Sequence, residues 1–266
     1  MQLVRSSALS PRLIFVEQTG STNTDLVALA AAEPLEEFTV MVTGSQTAGR
    51  GRLGRVWVAP PGKSLAISVV LRPLTPTGAP LSLEHYGWLP LLAGVAMTKT
   101  IAALLPSRPV TLKWPNDVLV AGKKVSGLLG ELLPGAQSLV MGAGVNLLLT
   151  AEELPTATST SLLIEGAHSE GAEAEGLADA VLAGYLEHLR HLYTDFLRNG
   201  TAALRAELEQ LCSTLGNEVR VTLPGDDDLV GLATGIDTTG RLIVKRATDG
   251  VIVAVAAGDV THLRYE

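Results

Sequence analysis

Gly49-Arg50-Gly51-Arg52-Leu53-Gly54-Arg55 sets three arginines among three glycines inside an acidic chain. Glycine lets the backbone approach a ligand closely, and a guanidinium grips phosphate or carboxylate through paired hydrogen bonds. The heptad contains a GxGxxG spacing, but a dinucleotide fold would run directly into an apolar helix, whereas Trp57-Val58-Ala59-Pro60-Pro61-Gly62 follows. A Walker A loop fails too, because Arg50-Gly51 stands where lysine and then serine or threonine are required. A different anion grip is left. Taken alone, the stretch reads as a solvated surface loop.

Its surroundings shift that balance. No aspartate or glutamate occurs over residues 38–83, while Arg50, Arg52, Arg55, Lys63 and Arg72 all fall there. In a protein of 266 residues with 20 basic and 27 acidic side chains, net charge -7, this asymmetry marks an anion site. The overall charge argues against the phosphate attraction of a general nucleic-acid binder. The length suits a main domain with a small appendage. The single Cys212 cannot form an internal disulfide, and residues 1–12 lack the apolar run of a secretory signal, so a reducing cytoplasm is expected. The most apolar stretch, residues 86–97, is broken by Gly87, Pro90 and Gly94 and reads as a core helix, not a membrane span. His85, His168, His188, His191 and His262 are scattered, with no cysteine cluster beside them, so no histidine metal site is expected. His188 and His191 read as solvated helix positions.

Hydrophobic patterning predicts strands at residues 13–16, 38–43, 64–71, 110–114, 118–120, 125–133 and 138–149, and helices at 26–32, 83–105, 176–199 and 202–212. Ala121-Gly122 should turn a hairpin, which puts Lys123 and Lys124 beside it. Beyond Gly216 the chain changes to short β-rich runs at 219–223, 229–236, 242–245 and 251–256, separated by Pro224-Gly225, Thr239-Gly240 and Asp249-Gly250. A small β-barrel appended to an α+β domain follows. Asp226-Asp227-Asp228 reads as a surface turn, and residues 169–176 as an exposed low-complexity loop.

Three further pieces carry polar chemistry. Lys113-Trp114-Pro115-Asn116-Asp117 holds a cation, an amide and a carboxylate in a stiff turn, although Asn116 and Asp117 would also suit plain turn capping. Gly122-Lys123-Lys124-Val125-Ser126-Gly127 puts two lysines at a strand start, otherwise a solvated hairpin end. In Gly20-Ser21-Thr22-Asn23, Thr22 and Asp25 have the spacing of a helix capping box.

In the order Ser21-Thr22-Asn23, Gln46-Thr47-Ala48 leading into the arginine heptad, Lys113 to Asp117, Gly122 to Gly127, and then Gly142-Ala143-Gly144-Val145-Asn146, the chain resembles the biotin protein ligases. The likeness is motif by motif from about Phe15 to Asn146 and looser through the C-terminal segment. It implies an α+β fold: a seven-stranded mixed β-sheet with helices, of the class II aminoacyl-tRNA-synthetase-like kind, over residues 1–214, and an SH3-like β-barrel over 215–266. It also implies ATP-dependent activation of biotin to its adenylate, then transfer to a lysine of a biotin carboxyl carrier domain. By position, Ser21, Thr22, Asn23 and Gln46 would contact biotin; Arg50, Gly51 and Arg52 would form the loop over biotin and phosphate; and Lys124 would meet the carboxylate. Arg52, Arg55, Lys113, Asn116 and Asn146 would face the nucleotide. Bifunctional members carry a helix-turn-helix domain before the first motif, whereas twenty residues precede Ser21 here, so a DNA-binding role is not expected. The tryptophan that covers adenine in some members has no counterpart in residues 147–215. Family members include monomers and homodimers, and a homodimer is allowed.

The chemistry sets the remaining expectations. Biotin carboxylate and the α-phosphate of ATP repel one another unless cations gather the growing charge, a task for Arg52 and Lys124. Magnesium would accompany the triphosphate, with Asp117 as its carboxylate. Asp117 is also the candidate for assisting deprotonation of the acceptor lysine. A reactive adenylate needs shielding from water, so loop 49–55 is expected to be mobile without ligand and to close over it. Two alternatives share parts of this reading: a lipoate or octanoate ligase, and a non-catalytic module that holds a phosphorylated partner or a peptide.

Overall fold

The structure, a computed structural model, describes residues 3–135, 137–167, 174–223, 228–256 and 258–263. His168, residues 169–173, Pro224-Gly225 and Asp226-Asp227 lie outside the described residues. In chain order the first domain contains α1 (Val4–Ser7), β1 (Leu13–Phe15), α2 (Thr22–Ala32), β2 (Val40–Thr43), the two-residue strands β3 (Gly49–Arg50) and β4 (Val56–Trp57), β5 (Ser64–Leu71) and α3 (Trp88–Leu104). It continues with β6 (Val110–Lys113), β7 (Asp117–Val120), β8 (Lys123–Leu132), β9 (Leu139–Asn146), α4 (Leu162–Glu165), α5 (Ala174–Asn199) and α6 (Thr201–Leu211). Seven strands form one mixed sheet in the order β1-β2-β5-β9-β8-β7-β6, with β1 and β2 parallel and every other pair antiparallel.

The two faces of this sheet differ, and the difference makes the site. On one face Leu65, Ile67, Val69, Met141, Ala143, Val145 and Leu128 join the main core with the apolar sides of α3, α5 and α6. On the other, α2 covers only one end, where Leu26 packs on Met41, Val70 and Val140. Next to that end the outward positions carry Ala66, Ser68, Gly142, Gly144, Gly127 and Leu129, too small to fill the space above the sheet. Strand alternation therefore builds a floor instead of a second core. α3, with the turn before it, is long and apolar enough to cross a membrane, but most of it is buried within the protein, as a core helix must be.

The C-terminal domain contains β10 (Glu218–Thr222), β11 (Asp228–Ile236), β12 (Leu242–Arg246), β13 (Ile252–Val255) and β14 (Asp259–His262), antiparallel in the order β13-β12-β11-β10-β14 and of the SH3-like barrel class. Two buried tryptophans fasten it to the first domain: Trp88 donates its indole N–H to Thr238 O (3.0 Å) and Trp114 to Gly240 O (3.3 Å). Gly87 and Gly240 meet backbone to backbone; a Cβ on Gly240 would lie 2.8 Å from the Gly87 carbonyl carbon, and the positive φ of Gly240 (87°) disfavours any side chain. The peptide bond before Pro115 is cis.

Four expectations are corrected. α2 starts at Thr22, not at residue 26, and its cap is Ser21, whose hydroxyl accepts from Thr24 N at 3.5 Å; Asp25 instead pairs with Thr19. The helix predicted over 83–105 opens as a 3-10 turn at Leu83–His85 and runs through Tyr86 and Gly87, both helical in backbone, into α3. β14 was not predicted, since only Val260 within it is apolar and buried. His188 is half-buried and 3.1 Å from Thr100 Oγ1, and burial lowers its pKa, so it is a packed residue and not a solvated one.

Candidate active site

The loop before α2 and the loop after β2 are zipped together by their backbones: Thr19 N donates to Ser45 O, Thr47 N to Thr19 O and Ala48 N to Gly20 O. This brings Ser21, Thr22, Asn23 and Gln46 to one depression, where Arg50, Trp57, Leu129 and the Gly142-Ala143-Gly144 segment also line the wall. Thr22 N donates to Gln46 Oε1 (2.9 Å), leaving Gln46 Nε2 above Gly49. Ser68, buried in β5, places its Oγ 2.8 Å from Thr22 Oγ1 and 2.6 Å from Asn23 Oδ1. The glycines here are required by contact: a Cβ at Gly142 would lie 2.4 Å from Asn23 Oδ1, and one at Gly144 would lie 2.6 Å from the Trp57 ring. Trp57 thus lies flat over the sheet as an apolar wall, and its indole N–H is buried without a partner among the described residues. Motif reading had used Trp57 only to reject a dinucleotide fold. Its role depends on the register of β3 with β4, Gly49 opposite Trp57, which folds the tryptophan back over the floor.

Lys124 stands beside this depression because of a bulge. The Ala121-Gly122 turn, with φ of 48° and 80°, has the double left-handed form that suits a tight hairpin, and opposes Val120 to Lys123. The register then slips, Leu119 facing Lys124 but Val118 facing Ser126, so Val125 is extra. Strict alternation would send Lys124 to the buried face with Ser126 and Leu128. The slip puts it on the same face as Gly127, where the space above the glycine holds its ammonium, 3.0 Å from an ideal Cβ. There Lys124 Nζ pairs with Asp117 Oδ1 at 2.6 Å, both side chains partly exposed.

A second cleft opens at the domain boundary, lined by Arg52, Trp114, Asn116, Leu129, Gly240 and Arg241 among others. Arg52 donates to Asn116 Oδ1 (3.1 Å) and to Gly258 O (3.4 Å). Burial lowers its pKa, with Asp117 and Asp259 opposing and Arg55 adding to the effect. Asn116 is further fixed by its Nδ2, which donates to Leu128 O (2.7 Å). Arg55 forms a two-pronged pair with Asp259 of β14, at 3.2 and 2.5 Å. The hydrogen bonds from Arg55 hold the Asp259 carboxyl below its ordinary range, and Arg55, Lys113 and Arg52 all contribute attraction. Lys113 faces Asp117 across the β6–β7 pair. Gly51 closes the loop's own turn, its N–H donating to Arg55 O (2.7 Å). Asn146 lines neither hollow: it is buried at the end of β9 and donates to Thr160 O (2.9 Å), while Thr160 N donates to Lys124 O. It supports the strand that carries Lys124.

Among the described residues no three His, Cys, Asp or Glu side chains converge as a metal-ligand set. Asp117, the carboxylate expected near magnesium, is already neutralised by Lys124. A hard cation held by the chain needs several oxygen ligands, which this donor set does not provide.

The chain thus carries a hydrogen-bonding pocket on the open face of the sheet, with Lys124 beside it, and a cleft at the domain boundary with Arg52 in its wall. Residues 15–146 match the Biotin/lipoate A/B protein ligase family, and residues 214–263 match the Biotin protein ligase C terminal domain. The chain is 37% identical to a biotin--[acetyl-CoA-carboxylase] ligase of Mycobacterium tuberculosis over 99% of this chain and 93% of that protein. It is 30% identical to the bifunctional ligase/repressor BirA of Bacillus spizizenii, over 91% of this chain and 72% of that one. Among solved structures, a biotin protein ligase from Aquifex aeolicus in complex with biotin and ATP superposes with a TM-score of 0.76 at 26% identity, covering 96% of this chain and all of that one. The chain belongs to the biotin protein ligase family.

Proposed function

We propose that this protein is an ATP-dependent biotin ligase, which forms biotinyl-5'-AMP with release of pyrophosphate and then transfers biotin to a lysine of a biotin carboxyl carrier domain, such as that of acetyl-CoA carboxylase. The observation that carries the reading is Lys124, held by Asp117 over Gly127 at the edge of the pocket, with Arg52 near enough to feel the same carboxylate. The polar wall of Ser21, Thr22 and Gln46 suits a cyclic urea, which both donates and accepts hydrogen bonds, and Trp57 over Gly144 suits an apolar chain. The biotin carboxylate would then reach Lys124. Its oxygen attacks the α-phosphorus of ATP, the bond to pyrophosphate breaks, and charge growing on the phosphate is gathered by Arg52 and Lys124. Asn116, which lines the cleft, and Lys113, whose charge reaches Asp259, are our further candidates for facing the nucleotide.

In the second step the acceptor amine attacks the acyl carbon and AMP leaves. At an ordinary pKa only about one lysine in ~2,500 is neutral at pH 7, so a carboxylate that can take the proton matters, and Asp117 is the candidate for it if Lys124 turns from it to the biotin carboxylate. Magnesium would enter with the triphosphate; the cations that the chain itself contributes are Arg52, Lys113 and Lys124. We place the domain boundary at residues 214/215, and the single buried Cys212 suits a reducing cytoplasm.

Calorimetry of biotin binding to the purified protein, followed by ATP with magnesium in the same cell, tests this. Micromolar or tighter biotin affinity, then an ATP-dependent heat with pyrophosphate release, is expected. Binding of lipoate in place of biotin would turn the assignment to a lipoate ligase, and ligand binding without pyrophosphate release to a non-catalytic module.

A further inference from the structure

The three arginines of loop 49–55 are held in two different ways. Arg50 Nη2 lies 2.7 Å from Glu131 Oε2, and the same oxygen takes Asn23 Nδ2 at 2.9 Å. Arg55 grips both oxygens of Asp259, which sits 204 positions away on the first residue of β14. Arg52, between them, meets among the described residues the neutral acceptors Asn116 Oδ1 and Gly258 O. Carboxylates therefore tie the loop at both ends, one from the sheet and one from the C-terminal domain, and among the described residues the middle guanidinium is the one without a carboxylate at hydrogen-bonding distance.

We propose that Glu131 and Asp259 are positioning residues of the arginine loop, holding Arg50 and Arg55 as closure clips so that Arg52 is left to meet the phosphate. The proposal deepens the ligase reading and rests on it for the identity of the phosphate. Three details support it. Glu131 follows Gly127 and Leu129 on the site face of β8, where a long carboxylate has no packing purpose. Asn23 is fully committed to holding it: its two amide hydrogens go to Leu129 O (3.2 Å) and Glu131, and its Oδ1 takes Ser68. Between the clips, Leu53 and Gly54 are both left-handed (φ 55° and 73°), an arrangement that leucine adopts at a cost when the chain on either side is fixed. The Arg55 and Asp259 side chains are 62% and 42% exposed, so this clip is weak and reversible, as suits a loop that closes over a ligand and opens again.

The first experiment is trypsin cleavage of loop 49–55 in full-length unliganded protein, comparing wild type with Glu131→Gln and Asp259→Asn, which leave the cleaved arginines in place. Each variant should be cut faster, by up to about fivefold, the range of an exposed ion pair; equal rates would overturn the clips. The second is adenylate release and ATP KM in the swapped pairs Glu131→Arg with Arg50→Glu and Asp259→Arg with Arg55→Asp, in proteins whose melting temperature matches wild type. Recovery in each swap relative to its single arginine variants is expected. A swap as impaired as Arg55→Asp or Arg50→Glu alone would show that arginine to be a ligand group. If wild type forms no adenylate, the ligase reading fails, and the cleavage rates still decide the clips.

Discussion

The two hollows are built by opposite means. The pocket around Ser21, Gln46 and Gly144 belongs wholly to the first domain and is shaped mostly by small residues and neutral hydrogen bonds, with Arg50 the charged side chain in its wall. The cleft around Arg52 and Asn116 is charged, and part of its wall, Gly240 and Arg241, comes from the C-terminal domain. The first should survive loosening of the domains; the second should not. Binding of the acid and binding of the nucleotide are thus separable by mutation.

The largest expected effect falls on the lysine beside the pocket. Lys124→Ala should slow adenylate formation by at least about 100-fold, as for loss of one charge-gathering donor, while biotin affinity falls far less. Single-turnover kinetics checks this, and adenylate formation within tenfold of wild type would contradict the role of Lys124. Next, Gly144→Ala would push the Trp57 ring off the floor, since a Cβ would lie 2.6 Å from it. Biotin affinity should drop about tenfold or more with the melting temperature little changed, and calorimetry reads both.

Gly240→Ala sharpens the contrast from the other side. Its left-handed φ and the backbone of Gly87 both oppose a side chain, at a cost of about 1–3 kcal/mol. ATP KM should rise while the biotin Kd stays within twofold; a parallel loss of both would mean that the pocket also depends on domain docking. A smaller effect is expected at Asp237, which shapes the same turn by accepting from Thr239 N and Arg241 N. Burial alone would raise its pKa, but those hydrogen bonds, with the Thr239 hydroxyl and Arg241 side chain, pull it down to about 2. A carboxyl depressed in the folded state stabilises above its unfolded pKa of ~3.9 and loses that contribution as pH falls toward 2. Asp237→Asn should therefore flatten the loss of stability between about pH 4 and 2, as read by melting curves. Smallest is His188→Gln. A histidine whose folded pKa is lowered favours unfolding as pH drops below ~6.5, so the variant should lose that slope and leave both ligand affinities alone.

Much of the pocket was legible in the sequence, because its residues sit in short motifs whose order is specific and whose chemistry is local. Ser21, Thr22, Gln46 and the arginine loop do come together, through backbone pairing of adjacent loops. What the motifs did not contain were partners distant in the chain. Glu131 reads as one more outward residue of a strand, and Asp259 as part of a polar tail, until Arg50 and Arg55 are brought to them. Asn146 stood in a motif, yet its amide is spent on Thr160.

By itself the sequence determined the α+β sheet, the β-rich appendage, the family and the cationic loop, since period-2 and helical patterns, turn residues and charge asymmetry all act within a few residues of one another. The tertiary structure alone decided which face Lys124 occupies, through a one-residue slip between β7 and β8, and which arginine is left without a carboxylate partner. Register and domain docking are set by packing between segments far apart in the chain, where no local pattern carries information about the partner.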